Sequence, residues 1–263
     1  MATLSNKVIW ITGASSGIGE ALAIALSKTG ARLILSARRE DELERVKQLC
    51  APAEVRIVPL DLTAAETLEE ATQRAIASYG HIDVLVNNGG ISQRSFVQET
   101  SMEVYRRIME VNFFGGTALT RNLMSHFVSR NQGQFVVISS VAGKYGAPFR
   151  SGYAASKHAL HGFYDALRAE YWKNNIRVTM VCPGVVRTPI SYSALKGDGS
   201  RNNKMDDMQS KGMPAEKCAA AIVRAMEREK EEVYIGGKEI ILVYVKRFFP
   251  SLFSKIIRKV VVR

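Results

Sequence analysis

Tyr153 and Lys157 stand four residues apart on a stretch, Gly152 to Lys173, with a helical pattern. That spacing puts both side chains on one face of a helix. Such a pair has a definite chemical use. A phenol is a poor acid–base group near neutral pH because its ordinary pKa is about 10. Moving it toward 7 requires stabilising the phenolate by roughly 4 kcal/mol, at about 1.4 kcal/mol per unit. One ammonium at ~4 Å supplies about that much at an effective dielectric near 20, and a pKa near the working pH is what acid–base catalysis needs. The spacing alone is weak evidence, because Tyr192/Lys196 and Tyr234/Lys238 share it. Tyr192 lies in a polar loop and Tyr234 precedes Gly236-Gly237, so neither of those pairs rides a helix. Only Tyr153 follows closely on an apolar run, Phe135-Val136-Val137-Ile138, that ends in Ser139-Ser140.

A second constellation lies near the N-terminus, where Val8 to Thr12 reads as a strand running into Thr12-Gly13-Ala14-Ser15-Ser16-Gly17-Ile18-Gly19. A helical pattern opens directly after it. Gly13 allows the tight turn, Gly17 lets the backbone approach a pyrophosphate, and Gly19 lets the helix pack close to the strand. The helix N-terminus offers free N–H groups and a positive dipole end to an anion. Gly13, Ser15, Ser16, Gly17, Ile18 and Gly19 are therefore the candidate phosphate-binding turn. Their spacing, G-x-x-x-G-x-G, departs from the generic G-x-G-x-x-G fingerprint. About twenty residues further on, a carboxylate would select the ribose 2′-hydroxyl of NAD(H). The chain instead reads Ser36-Ala37-Arg38-Arg39. Arg38 and Arg39 are suited to a 2′-phosphate, which predicts a preference for NADP(H) over NAD(H). The bland alternative is a solvated arginine pair at a helix start.

These residues need a scaffold, and the pattern supplies one. Candidate strands are Val8–Thr12, Arg32–Ala37, Val55–Leu60, Val84–Asn87, Phe135–Ser139, Ile176–Val181 and Val233–Ile235. Between them lie helical patterns over 18–28, 41–49, 64–78, 102–129, 152–173 and 214–229. Apolar strands alternating with helices predict an α/β fold, a parallel sheet with helices on both faces. No linker interrupts residues 1–245, which are expected to form one domain. The polar segment at about 189–213 is the longest poorly periodic stretch and is expected to act as a lid.

The 263 residues carry a formal charge of +11 from 36 basic and 25 acidic side chains. Six of the basic residues and none of the acids fall between Lys246 and Arg263. This tail also holds Phe248, Phe249, Leu252, Phe253, Ile256 and Ile257. It reads either as a terminal helix packed on the domain or a sister subunit, or as peripheral membrane contact through residues 246–263. No nucleic-acid module is legible, and nucleic acid is not an expected partner. Cys50, Cys182 and Cys218 are odd in number and scattered, which argues against a disulfide framework and suits a reducing compartment. His81, His126, His158 and His161 have no metal-ligand spacing, so no metal is expected. MATLSNKVIW enters a strand-like run at once, leaving no room for a secretory signal. The expected location is cytoplasmic or peripheral to a membrane, not secreted.

Taken in order along the chain, these motifs resemble the short-chain dehydrogenase/reductase family over essentially the whole length. The match is carried by Thr12-Gly13-x-x-x-Gly17-x-Gly19, Asn87-Asn88-Gly89-Gly90, Asn112, Ser140, Tyr153-x-x-x-Lys157 and Pro183-Gly184-x-x-x-Thr188. The resemblance implies a single-domain Rossmann-type doubly wound sheet. It implies that Tyr153 exchanges a proton with a carbonyl or alcohol, and that Lys157 also holds the nicotinamide ribose. Ser140 would orient the carbonyl and Asn112 would anchor a water in the proton relay. By the same likeness Asp61-Leu62 would sit by the adenine, Asn88 and Gly89 would border the cofactor, and Pro183, Val186 and Thr188 would cradle its nicotinamide end. The family usually has alanine where Gly89 stands.

The expected activity is hydride transfer between NADP(H) and a carbonyl or secondary alcohol, with a hydrophobic small-molecule substrate. Gln93-Arg94-Ser95-Phe96 and Tyr145-Gly146-Ala147-Pro148-Phe149 are expected to flank the pocket. A non-catalytic NADP(H)-binding scaffold or redox sensor is the rival, disfavoured because Asn112, Ser140, Tyr153 and Lys157 are all present. The likeness further implies a homodimer or homotetramer.

Overall fold

The computed structural model describes residues 3–260. The first half alternates β1 (Val8–Thr12), α1 (Gly17–Ser27), β2 (Arg32–Ser36), α2 (Glu40–Leu49), β3 (Val55–Ile57), α3 (Leu68–Ala77) and β4 (Val84–Asn87). Then come α4 (Met102–Met109), α5 (Gly115–Arg130), β5 (Gly133–Ile138), α6 (Ser151–Glu170) and β6 (Ile176–Pro183). The last part holds β7 (Val186–Arg187), α7 (Asp207–Ser210), β8 (Met213–Pro214), α8 (Ala215–Glu227), β9 (Glu232–Ile235), α9 (Ile241–Phe248) and α10 (Pro250–Ile257).

Seven strands form one sheet in the order β3-β2-β1-β4-β5-β6-β9, and every pairing in it is parallel. Strand side chains alternate between faces, and the sequence keeps both faces apolar. Ile9, Ile11, Leu33, Leu35, Val84 and Val86 pack with α1, α2 and α8. Val8, Trp10, Ile34, Leu85, Phe135 and Val137 pack with α3, α5 and α6. The strand order reverses between β1 and β4, the place where open α/β sheets leave a crevice beyond the strand ends.

The structure revises several expected boundaries. The helix expected over 102–129 runs without a break from Met102 to Arg130, with a π-helical turn at Glu110–Phe114 between α4 and α5. β3 stops at Ile57 rather than Leu60. The polar segment is not structureless, because β7 pairs with β8 and closes its ends. Leu195 bridges to Gln93 and to Arg201. The tail starts earlier than expected, since α9 begins at Ile241. It packs on the domain through Phe253, whose ring lies 5.5 Å from that of Tyr145. Of the tail expected over 246–263, residues 261–263 lie outside the described residues, as do residues 1–2.

Candidate active site

The glycine turn follows β1 at the reversal point, and each glycine answers a steric demand. Gly13 has φ +63°, and a Cβ there would come within 2.8 Å of Gly89 Cα. Gly17 has φ +61° and faces the Thr188 side chain. Gly19 lies in the first turn of α1, where a Cβ would meet Gly13 O at 2.2 Å. It does not border the cleft; its contribution is the close contact of helix and turn. Ser16 precedes α1 in an extended conformation and makes no side-chain cap, so it satisfies none of the orphan N–H groups of the first turn.

Thr12 ties this turn to the end of β4. Its hydroxyl donates to Val86 O at 3.2 Å and accepts from the Asn88 and Gly89 N–H groups at 3.1 and 3.2 Å. The Asn88 amide donates to Thr12 O and Gly13 O. Where the family usually carries alanine, a Cβ on Gly89 would sit 2.5 Å from Leu62 Cδ1. Leu62 Cδ1 occupies the space that an alanine methyl would need.

A cleft of about 980 Å³ runs from this turn across the ends of the central strands. It is bordered by Gly13, Ser15, Ser16, Gly17 and Ile18 from the turn and by Arg38, Arg39, Asp61, Leu62, Asn88 and Gly89 from the strand ends. Ser140, Tyr153, Lys157, Pro183, Val186 and Thr188 complete it. Residues from seven segments, spread over 175 positions from Gly13 to Thr188, thus meet in one space. Asn112 does not line it. In the π-helical turn its side chain is fully engaged: Oδ1 accepts from Ile91 N at 2.8 Å, while Nδ2 donates to Ile91 O and Ser156 Oγ, both at 2.9 Å. It borders Gly90 on the side of Lys157: a Cβ on Gly90 would be 3.2 Å from Asn112 Oδ1 and 3.5 Å from Lys157 Nζ.

Tyr153 and Lys157 ride α6 and are both buried. Lys157 Nζ lies 5.8 Å from the centroid of the Tyr153 ring and donates to Ile138 O, the end of β5, at 2.8 Å. Burial pushes the Lys157 ammonium down to about 8, because low polarity disfavours the charged form. Ser140 Oγ donates to Pro183 O at 3.3 Å and accepts from Ala142 N at 3.1 Å, so it caps the turn after β5 while bordering the cleft.

At the far end the cleft is lined by charges of both signs. Arg39 Nη2 reaches Ser15 Oγ at 3.4 Å, and its other end lies 4.0 Å from Glu42. Glu42 is in turn held by Arg45, at 2.8 Å. Burial works to raise the Asp61 carboxyl, but the Thr63 N–H and hydroxyl, with Arg38 and Arg107 nearby, hold it below the usual carboxylate range.

The expected pocket flank performs a different task. Gln93 is fully buried: its Oε1 accepts from Gly152 N at 2.7 Å, and its Nε2 donates to Thr100 Oγ1 at 2.9 Å. Neither Gln93 nor Arg94 borders the cleft. Arg94 forms a two-pronged ion pair with Asp206, which also takes Ser191 Oγ at 3.2 Å and Arg150 at 3.5 Å. Asp206 comes from the expected lid and Arg150 precedes α6, so this buried cluster locks the segment over 189–213 onto the helix that carries Tyr153. Burial, with Arg94 adjacent, lowers Arg150 to about 10.

His161, Cys182 and Glu232 also converge, with side-chain ligand atoms within 4.8 Å of one another. Sequence spacing missed this group because the three sit on α6, β6 and β9. His161 and Cys182 are buried, while Glu232 is exposed at the end of the group. His161 Nε2 contacts Ser139 Oγ at 3.1 Å and Cys182 Sγ at 3.7 Å, on the opposite ring edge from Glu232, and Lys144 pairs with Glu232 at 2.6 Å.

A parallel sheet with this strand order, a glycine turn at its reversal point and a buried tyrosine–lysine pair across the cleft define a nucleotide-binding oxidoreductase scaffold. The sequence profile described as short chain dehydrogenase matches residues 7–198, and the chain belongs to the short-chain dehydrogenase/reductase family, oxidoreductases that bind a nicotinamide cofactor. Among curated relatives, Dehydrogenase/reductase SDR family protein 7-like of Drosophila melanogaster is 42% identical, covering 97% of this chain and 81% of the relative. Dehydrogenase/reductase SDR family member 7 of Homo sapiens is 41% identical, over 94% and 76%. Among solved structures, a short-chain dehydrogenase from Streptomyces avermitilis superimposes with TM-score 0.82, 30% identity and 96% coverage of each chain. An alcohol dehydrogenase from Thermococcus sibiricus, complexed with 5-hydroxy-NADP, gives TM-score 0.76 at 29% identity, over 89% of this chain and 98% of its own.

Proposed function

We propose that the protein is an NADP(H)-preferring dehydrogenase/reductase that interconverts a hydrophobic carbonyl compound and its secondary alcohol. The observation that carries this reading is that Tyr153 and Lys157 border the same cleft as the glycine turn. The turn fits a pyrophosphate: a side chain at Gly13 would fill the space against Gly89, and the first turn of α1 gets no cap from Ser16. In this reading Gly13 to Ile18 hold the pyrophosphate, Asp61 and Leu62 border the adenine, and Asn88, Gly89, Pro183, Val186 and Thr188 border the nicotinamide half.

A reduced nicotinamide held in this cleft would supply the hydride that the carbonyl carbon takes up. Everything else falls to the chain. Tyr153 holds the proton at its phenolic oxygen and gives it to the carbonyl oxygen; in the oxidation direction it takes the proton from the alcohol. Lys157, charged at neutral pH and buried, favours the phenolate that remains. Ser140 orients the carbonyl by turning its hydroxyl from the long bond to Pro183 O. Asn112 acts through the backbone of Ile91 and through Ser156, whose hydroxyl donates to Tyr153 O at 2.8 Å, so it steadies the tyrosine's own turn.

Arg38 and Arg39 at the end of β2 support the NADP(H) preference, and the 5-hydroxy-NADP in the archaeal relative is consistent with it. A hydrophobic substrate is supported by Ile91, Ile190, Tyr192 and Leu195, which stand in the remaining wall beside the polar Asp198, Arg201 and Asn203. The same reading includes a homodimer or homotetramer and a cytoplasmic or membrane-peripheral location, both on family likeness and sequence alone. The deciding experiment is NADPH oxidation against a panel of ketones, with Tyr153→Phe as control. Phenylalanine keeps the packing and removes the transferable proton, so turnover equal to wild type would overturn the assignment.

A further inference from the structure

The last two helices pack on the domain by one face and leave the other apolar face uncovered among the described residues. Phe253 and Ile257 of α10, with Leu242 and Val243 of α9, join Val141 and Tyr145 in a small core. On the other side, Ile241, Tyr244 and Phe248 follow the helical repeat along α9, and Phe249 and Leu252 continue the patch. All five are at least half exposed, up to 68% at Phe248. Arg247, Lys255, Arg258 and Lys259 stand exposed in the same segment, and no aspartate or glutamate occurs from 241 onward. Leaving five large apolar side chains in water is unfavourable, so a partner surface or a lipid phase is the expected occupant of such a patch.

We infer that the exposed face of α9–α10 docks on the surface of an anionic lipid bilayer, with its aromatic and aliphatic side chains in the interfacial region and its cations on the headgroups. Three observations favour this occupant over a second copy of the chain. A two-fold interface sets a patch against itself, and here that brings the cations of one copy against those of the other with no acid to pair them. Apolar side chains flanked by lysine and arginine are the composition of helices that lie in an anionic interface. The two helices are eight residues each, and among the described residues no helix is long and apolar enough to cross a membrane, so the contact is in-plane. The inference does not depend on the proposed activity.

The test is co-sedimentation of the full chain with phosphatidylcholine vesicles and with vesicles also containing phosphatidylserine, at low and high salt. The expected result is binding to the anionic vesicles that weakens with salt and falls at least ~tenfold in the Phe248→Ser/Phe249→Ser/Leu252→Ser variant. These side chains are solvent-exposed, and an unchanged melting temperature in the variant establishes that it folds. Failure of the wild type to sediment with anionic vesicles overturns the proposal, as does equal sedimentation of wild type and folded variant. A variant that instead loses self-association in analytical ultracentrifugation, with vesicle binding unchanged, assigns the face to a second copy and also overturns it.

Discussion

Lys157 Nζ donates to Ile138 O at 2.8 Å, so the ammonium that faces Tyr153 is fixed to the end of β5 at the border of the cleft. Its burial lowers its pKa from 10.5 to about 8. The folded state therefore holds this proton less tightly than the unfolded chain, and the cost is fully present below the folded pKa of about 8. Lys157→Met removes that cost along with one hydrogen bond. Urea denaturation at pH 7 is expected to find the variant as stable as wild type or more so, by about 1–3 kcal/mol. Turnover is expected to fall by roughly 10²–10⁴. A variant much less stable than wild type would contradict this account of the lysine.

Asp206 is the one acid between Arg94 and Arg150. Asp206→Ala leaves two guanidinium groups without their carboxylate, a loss of about 3–5 kcal/mol. Asp206→Asn keeps the shape and part of the hydrogen bonding and is expected to cost less. Denaturant melts give the energies, and limited proteolysis is expected to cut first within 189–213. A cost below ~1 kcal/mol for the alanine variant would mean the cluster does not hold the segment in place.

Arg38 and Arg39 are expected to set cofactor choice. Replacing both by serine removes charge-assisted contacts that, screened by solvent at so exposed a site, are worth about 1.5–3 kcal/mol together. The KM for NADPH is then expected to rise by roughly 10- to 100-fold while that for NADH changes little. Equal losses for both cofactors would assign the pair to folding or general attraction instead.

Burial lowers His161 from 6.5 to about 4, with Lys144 adding to the shift and Glu232 opposing it. The ring is neutral in the folded chain at pH 7, while the unfolded ring takes up a proton below about 6.5. Its contribution to stability is thus present above the unfolded value and lost as pH falls from 6.5 toward 4. Comparing stability at pH 7 and pH 5 for wild type and His161→Asn checks this; the drop is expected to shrink by on the order of 1–2 kcal/mol in the variant. An unchanged drop would show that other groups govern acid unfolding.

Much of this molecule was legible in its sequence because its signals are local. The strand at Val8–Thr12, the glycine turn and the Tyr153/Lys157 spacing each depend on neighbours within a few positions, and the family likeness joined them into one fold. What stayed hidden is long-range. Arg94 and Asp206 are 112 residues apart, and nothing in the local pattern around Arg94 distinguishes an ion pair from a pocket wall. His161, Cys182 and Glu232 meet only once β6 and β9 are paired. The π turn at Glu110–Phe114 escaped because the apolar period on either side suits a helix, and such a turn changes the rise and rotation without changing composition.

That π turn adds one residue to a helix, and where it does so matters. Excising any one of the five positions would let the backbone close into ordinary α geometry at small local expense. Because the wide turn absorbs its extra residue locally, the helices on either side would keep nearly the same phase. The loss would fall on the turn itself, where Asn112 holds Ile91 and Ser156. A one-residue deletion there would leave the scaffold standing and undo the grip beside the cleft.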